Sequence, residues 1–340
     1  MSAPPHAPLR LGALGCSSIA GRRTLPALRR LDGAQLTAVA SRSVERAKSF
    51  AAEFDCLSTG YEDLLDREDV DAVYLSLPTG LHGEWAERVL LAGKHLLCEK
   101  PMTMSALDTR ALAELAAERG LVLRENMTFV HHPQHAEVAA LVAGGRIGTV
   151  RAFHAAFCIP PLPSGDTRYD PDLGGGALLD VGVYPLRAAQ LLLGPGVAVA
   201  GATLRHDDEL GVDLSGQILL VARNGALAHL EFGFQHAYHA QYSLWGNTAR
   251  LSVDRVFTPP PSWRPLVRID EQDHAEEISL APADQFELSL SSFAAAVRAD
   301  GGTPSGPEPN PVDLFVETAE LVDAVRERAV RVPNHETAGY

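Results

Sequence analysis

Cysteine is scarce in this sequence: the four in 340 residues, Cys16, Cys56, Cys98 and Cys158, stand far apart and form no C-x-x-C pair. That spacing gives neither a disulfide framework nor a zinc site. Positive charge is short as well, 29 Lys+Arg against 43 Asp+Glu, for a net charge of −14. Such a field repels nucleic acid and anionic membrane surfaces. No apolar run reaches the ~18 residues a membrane span needs, and MSAPPHAPLR lacks the apolar stretch of a secretory signal. The expectation is a soluble, cytoplasmic protein with reduced thiols, no metal, and neither a nucleic-acid nor a membrane partner.

What is present is ordinary globular material, 46% hydrophobic and 21% charged, at about twice the ~150 residues typical of one domain. In the first 125 residues short β-rich runs (9–15, 35–40, 71–77, 95–99, 121–124) alternate with helical patterns (19–31, a stretch opening at Ser43, 82–92, 105–119). Gly93 and Gly120 sit at helix stops. The stretch after Ser43 carries Val44, Ala47, Phe50, Ala51 and Phe54 on one side. Strands separated by helices imply right-handed crossovers and a parallel, doubly wound sheet.

Beyond about residue 149 the pattern changes to β-rich runs at 149–157, 197–205, 213–222, 226–237 and 240–254, with one helical segment at 176–193. An open-faced, mostly antiparallel sheet in an α+β domain is expected there, with a hairpin turn at Asn224-Gly225. Pro259, Pro260 and Pro261 mark one loop and GGTPSGPEPNP another; the helical pattern from 311 to 328 is expected to pack back on the first domain. The expected domains are 1–125 and 126–340.

The first strand–turn–helix junction reads Gly12-Ala13-Leu14-Gly15-Cys16-Ser17-Ser18-Ile19-Ala20-Gly21. A serine replaces the second glycine of the usual dinucleotide fingerprint, yet the logic survives. Gly15 permits a tight turn, small residues admit a pyrophosphate, and a helix N-terminus attracts it. Alone, this fits an ordinary βα turn equally well. The second strand ends Ala40-Ser41-Arg42-Ser43, where an NAD site carries Asp or Glu for the ribose hydroxyls. Ser41 and Arg42 instead suit a 2′-phosphate, with Arg46 one turn on as a second cation, which points to NADP(H); solvated surface arginines are the plainer alternative. Two more strand ends carry Leu77-Pro78-Thr79-Gly80-Leu81-His82 and Cys98-Glu99-Lys100-Pro101, at the edge where ligands bind open α/β sheets. Lys100 there is either a functional cation or a surface partner of Glu99. In Gly174-Gly175-Gly176-Ala177-Leu178-Leu179-Asp180-Val181-Gly182-Val183-Tyr184-Pro185, Asp180 and Tyr184 fall one helical turn apart, as site residues or as a core tyrosine with its acceptor.

In this order and spacing, GxxGCSSIA, ASRS, LPTGLH, EKP and GGGALLDVGVYP resemble the Gfo/Idh/MocA oxidoreductases over nearly the whole chain. CEKPM, ENMTFVHHPQH and the Tyr184 form of the last motif resemble the NADP-dependent sugar 3-ketoreductases of antibiotic deoxysugar pathways. The resemblance implies an N-terminal Rossmann domain and a C-terminal sheet that forms a homodimer or homotetramer interface. It further implies Lys100 near the nicotinamide and the reacting carbonyl, often with a cis peptide to Pro101. Tyr184 is then the motif tyrosine and Asp180 the aspartate near substrate, with Thr79 and His82 lining the nicotinamide ribose. Many relatives carry arginine at the position of Val130, which implies a different sugar-binding surface here.

The expected reaction is NADPH-dependent reduction of a keto group, at carbon 3, of a dTDP-linked keto-deoxysugar. Lys100 is the first candidate for proton delivery, because a cation also stabilises the alkoxide, and Tyr184 the second. Asp180 orients the sugar or Tyr184, and Arg168 reaches a cofactor or substrate phosphate. The cofactor site comprises Gly15, Cys16, Ser17, Ser18, Ile19, Ser41, Arg42, Arg46, Leu77, Pro78, Thr79, His82, Glu99 and Lys100. Alternatives are an NADP-dependent dehydrogenase of a free sugar or cyclic trans-diol, and a non-catalytic dinucleotide or sugar sensor of the same fold. HAYHAQY at 236–242 either lines the sugar pocket or forms one solvated strand face.

Overall fold

The computed structural model describes residues 7–299 and 311–334, so the GGTPSGPEPNP loop lies almost wholly outside the described residues. Strands and helices alternate through the first part of the chain: β1 (Leu9–Leu14), α1 (Leu25–Leu28), β2 (Ala34–Ala40), α2 (Val44–Phe54), β3 (Leu57–Thr59) and α3 (Tyr61–Leu65). There follow β4 (Ala72–Leu75), α4 (His82–Leu91), β5 (His95–Cys98), α5 (Ala106–Glu118) and β6 (Leu123–Glu125). The six strands form one parallel sheet in the order β3-β2-β1-β4-β5-β6. Every residue of β4 is buried, as a strand covered on both faces requires. Helix α2 is capped by the Ser43 side chain and buries Ala47, Ala51 and Phe54, whereas Val44, expected on the apolar side, faces solvent.

The later segment contains α6 (Pro133–Ala143), β7 (Val150–Cys158), α7 (Val183–Leu193), β8 (Ala198–Asp207), β9 (Val212–Val221) and β10 (Leu227–Gly233). It continues with β11 (His239–Gly246), β12 (Arg250–Asp254), β13 (Leu266–Asp270), β14 (Ala275–Ser279), α8 (Gln285–Arg298), α9 (Pro311–Arg328) and β15 (Ala329–Pro333). Nine strands make the second sheet, ordered β14-β13-β12-β11-β7-β10-β9-β8-β15. Neighbours run antiparallel except β7 with β10 and β8 with β15. Along β9 the side chains alternate between buried Val212, Leu214, Ile218 and Leu220 and outward Gln217, Leu219 and Val221, the period-2 pattern of a sheet covered on one face. The turn joining β9 to β10 holds Asn224 and Gly225, the latter at φ 82°.

Contacts divide the described chain into two compact units, residues up to 103 with 107–128 and 284–299, and residues 104–106 with 129–283 and 313–334. Helix α9 from Asp313 onward falls in the second unit, where its inward Leu314, Phe315, Thr318, Leu321, Val322 and Val325 are buried, Thr318 Oγ1 donates to Gln190 Oε1 at 2.7 Å and the chain runs on into β15. Helix α8 is the element that returns, placing Leu290, Phe293, Ala294 and Ala296 in a core with Leu9, Leu11, Leu25, Leu28, Val39 and Tyr74. The expected run 240–254 is two strands, because the chain turns between Gly246 and Ala249. The run 226–237 ends at Gly233, so His236 and Tyr238 lie off any strand.

In the second unit, burial holds the His135 imidazole, bonded at 2.9 Å to Tyr242 Oη, down to about 3. An unfolded histidine takes up its proton near pH ~6.5. Below that pH the unfolded chain therefore binds a proton the folded chain does not, and stability falls as pH falls. Between pH 7 and 5 the loss from this residue is about 2 kcal/mol. Denaturant titrations at both pH values are expected to show a shallower pH slope for His135→Gln; an unchanged slope would exclude the residue.

Candidate active site

The glycine loop after β1 is built so that backbone, not side chain, occupies its surface. Gly15 has φ +109°, and a Cβ there would lie 2.4 Å from the Ser76 carbonyl oxygen, so no other residue fits. The Gly15 N–H donates to Ala40 O at 2.9 Å, and Ser17 Oγ bonds Ser76 Oγ while accepting from Ala20 N. The Cys16 side chain is buried, so its contribution to a ligand is its backbone. Ser18 and Ile19 open the following helix, whose first N–H groups have no acceptor within the helix. That cradle fits a pyrophosphate.

At the end of β2 no carboxylate is present. Ser41 Oγ accepts from Ser43 N at 3.2 Å, and Arg42 is exposed with no carboxylate partner among the described residues. Arg46 differs: its Nε donates to Cys16 O at 2.7 Å and its guanidinium lies 5.9 Å from the Phe50 ring centre, so it ties α2 to the glycine loop. An exposed arginine beside small hydroxyl residues suits a 2′-phosphate and gives ribose hydroxyls no acidic acceptor.

The next strand ends meet through His82. Its ring nitrogens lie 2.8 Å from the carbonyl oxygens of Leu77 and Pro101, and the residue is 1% exposed. It is therefore a strut between the two turns, which corrects the expectation that it lines the nicotinamide ribose; Leu77, Pro78 and Thr79 retain partial exposure. The Lys100-Pro101 peptide is cis. Glu99 accepts from Tyr74 Oη and from Asn126 Nδ2, each at 2.7 Å, and Asn126 Oδ1 accepts from Ser289 Oγ at 2.8 Å. Burial pushes the Glu99 carboxyl up, against the lowering by Tyr74, Asn126 and the Lys100 charge. Tyr74, Asn126 and Ser289 come from distant elements, and no local pattern marks them.

In the second unit a π-helical turn, Leu178–Gly182, precedes α7, so Asp180 and Tyr184 are not spaced by one α-helical turn as expected. Asp180 Oδ2 pairs with Arg168 Nε at 2.8 Å, and Arg168 also meets Asp166 at 3.2 Å. The Arg168 charge thus already faces two carboxylates. The triple glycine is packed against protein: a Cβ on Gly176, at φ +112°, would lie 2.5 Å from Asp213 Oδ1. Asp213 Oδ2 in turn accepts from Leu178 N at 2.6 Å, fixing the start of the π turn. The Tyr184 ring is caged by Phe157 at 5.0 Å, Phe257 at 5.6 Å and Phe129 at 5.8 Å between centres. Val130 is buried. Among the described residues no group of three or more His, Cys, Asp or Glu is placed to hold a metal, and no helix is long and apolar enough to cross a membrane.

Residues 9–127 match the family model described as "Oxidoreductase family, NAD-binding Rossmann fold", and residues 135–252 match the GFO/IDH/MocA C-terminal domain. A dTDP-3,4-didehydro-2,6-dideoxy-alpha-D-glucose 3-reductase of Actinomadura kijaniata is 49% identical, over 94% of this chain and 95% of its own. One of the same name from Streptomyces violaceoruber is 50% identical, over 94% and 95%. A crystal structure of a 3-ketoreductase from Actinomadura kijaniata in complex with NADP and TDP-benzene superposes with a TM-score of 0.92 at 47% identity, covering 96% of this chain and 99% of that one. Strand order, glycine cradle and these near full-length similarities agree: the chain belongs to the Gfo/Idh/MocA oxidoreductase family.

Proposed function

We propose that this protein is an NADPH-dependent reductase of the keto group at carbon 3 of a dTDP-linked keto-deoxysugar in antibiotic sugar biosynthesis. The carboxylate-free end of β2, with Arg42 exposed beside Ser41, carries the cofactor choice. The substrate class is supported by the activity named for the Actinomadura and Streptomyces relatives at 49% and 50% identity.

Bound NADPH supplies the hydride. The loop Gly15–Ile19 holds its pyrophosphate through backbone N–H groups, Ser41 and Arg42 hold the 2′-phosphate, and Leu77, Pro78 and Thr79 border the nicotinamide end. The Lys100 ammonium stabilises the alkoxide as charge develops on the sugar oxygen and returns a proton to it; Tyr184 donates a second hydrogen bond. Asp180 positions the sugar, held in orientation by its ion pair with Arg168. Crystals of the Actinomadura relative with a lysine changed to Ala or Glu, and a tyrosine to Phe, lend support to a lysine and tyrosine pair.

Two further features complete the proposal, a cytoplasmic site of action and self-assembly through the open face of the second sheet into a dimer or tetramer. That face exposes Leu227 at 59% and Trp245 at 45%, apolar area that association would cover. Light scattering reads the assembly. The reaction is tested by following NADPH absorbance with dTDP-linked and free keto-sugars. Oxidation of NADPH that requires the nucleotide-linked substrate is expected; equal rates with the free sugar, or with NADH, would overturn the assignment.

A further inference from the structure

We infer that Arg255, clamped between the rings of Trp263 and Tyr238, anchors the diphosphate of the nucleotide-sugar substrate. The inference rests on the proposed function. Several arginines of this acidic chain are neutralised: Arg10, Arg146, Arg168 and Arg268 each pair with carboxylates. Arg255 does not. It is exposed, no carboxylate among the described residues pairs with it, and its guanidinium lies 5.0 Å from the Trp263 ring centre and 5.4 Å from that of Tyr238. Aromatic faces over a guanidinium hold its plane but leave the in-plane N–H donors at its rim unused. Those donors form the planar fork that binds phosphate oxygens two at a time.

The backbone carries a second mark. Arg255 has φ +53°, a left-handed conformation that a long side chain adopts only where its surroundings enforce it. The return of the chain is pinned by Val256 N–H on Ala240 O at 3.2 Å. Two residues on, at most about 7 Å along the chain, Phe257 packs on the Tyr184 ring. Arg255 therefore stands on the segment that walls the Tyr184 cage. Tyr238 Oη is steadied by Thr258 Oγ1 at 3.3 Å, and the Trp263 indole N–H is buried without a partner.

The test uses Arg255→Gln and Arg255→Asn, with dTDP and thymidine as calorimetric probes, the dTDP-linked keto-sugar for kinetics, and NADPH binding as the control. Both variants are expected to lose about 10- to 100-fold in dTDP affinity and to raise substrate KM in proportion, as lost charge-assisted bonds do. kcat, NADPH affinity and the weak binding of thymidine should stay within about threefold. Asparagine tolerates the left-handed backbone, so Arg255→Asn should melt no lower than the parent while losing dTDP. A variant with dTDP affinity equal to the parent would overturn the inference and leave the proposed function standing. A parent that binds no dTDP would overturn both.

Discussion

Replacing Lys100 with alanine or methionine is expected to lower kcat by about 10³-fold with NADPH and a dTDP-linked keto-sugar, while NADPH affinity moves less than about threefold. Hydride arrival turns the sugar carbonyl oxygen into an alkoxide, the conjugate base of an alcohol less acidic than an ammonium or a phenol. A cation at that oxygen lowers the barrier before the proton moves, and an ammonium then supplies the proton itself. A neutral side chain of similar length, methionine, keeps the packing and removes both effects. Tyr184→Phe removes one hydrogen-bond donor and leaves the Phe129, Phe157 and Phe257 cage filled, so its loss should be smaller, about 10- to 100-fold. Steady-state kinetics paired with NADPH titrations separate the two. If Tyr184→Phe costs more than Lys100→Met, the proton comes from the tyrosine.

The turn that bears Lys100 is braced through its neighbour. Glu99, the preceding residue, is fixed by Tyr74 Oη and Asn126 Nδ2. Tyr74 is itself tied to Thr24 Oγ1 at 3.0 Å, and Asn126 to Ser289. This chain of bonds joins α1's neighbourhood, β4, β5 and α8 through one carboxyl. The turn bearing the lysine is thereby held by groups buried on folding.

Sequence and structure part company where non-local contacts decide. The parallel sheet was legible because five of its strands carry enough apolar residues to stand out, and the glycine loop because Gly15 has no substitute. Strand β3 was not, since Leu57-Ser58-Thr59 is three residues long and gains its place only from pairing with β2. Helix α8 shows a clear amphipathic face, yet nothing local assigns that face to the first unit rather than the second. Asp213 reads as one polar position of an alternating strand; its burial under Gly176 and its bond to Leu178 N exist only once the loop has folded over it. Arg168 illustrates the converse. Its charge was legible, but its pairing with Asp180 was not, and the pairing decides what that charge is free to bind.

Arg42 and Arg46 look interchangeable in sequence, and their bonds separate them. Arg42→Asp is expected to lower kcat/KM for NADPH by about 10²- to 10³-fold and to leave NADH equal or improved, because a carboxylate repels the 2′-phosphate and accepts from the ribose hydroxyls instead. Arg46 has its Nε bound to the Cys16 carbonyl and its plane against Phe50, so Arg46→Ala frees the glycine loop and should weaken NADPH and NADH together. The ratio of kcat/KM for the two cofactors is the diagnostic: it inverts in the first variant and holds within about fivefold in the second. Were the ratio to collapse in Arg46→Ala and survive in Arg42→Asp, the phosphate would belong to the helix arginine, and its bond to the loop would have to break whenever NADPH binds.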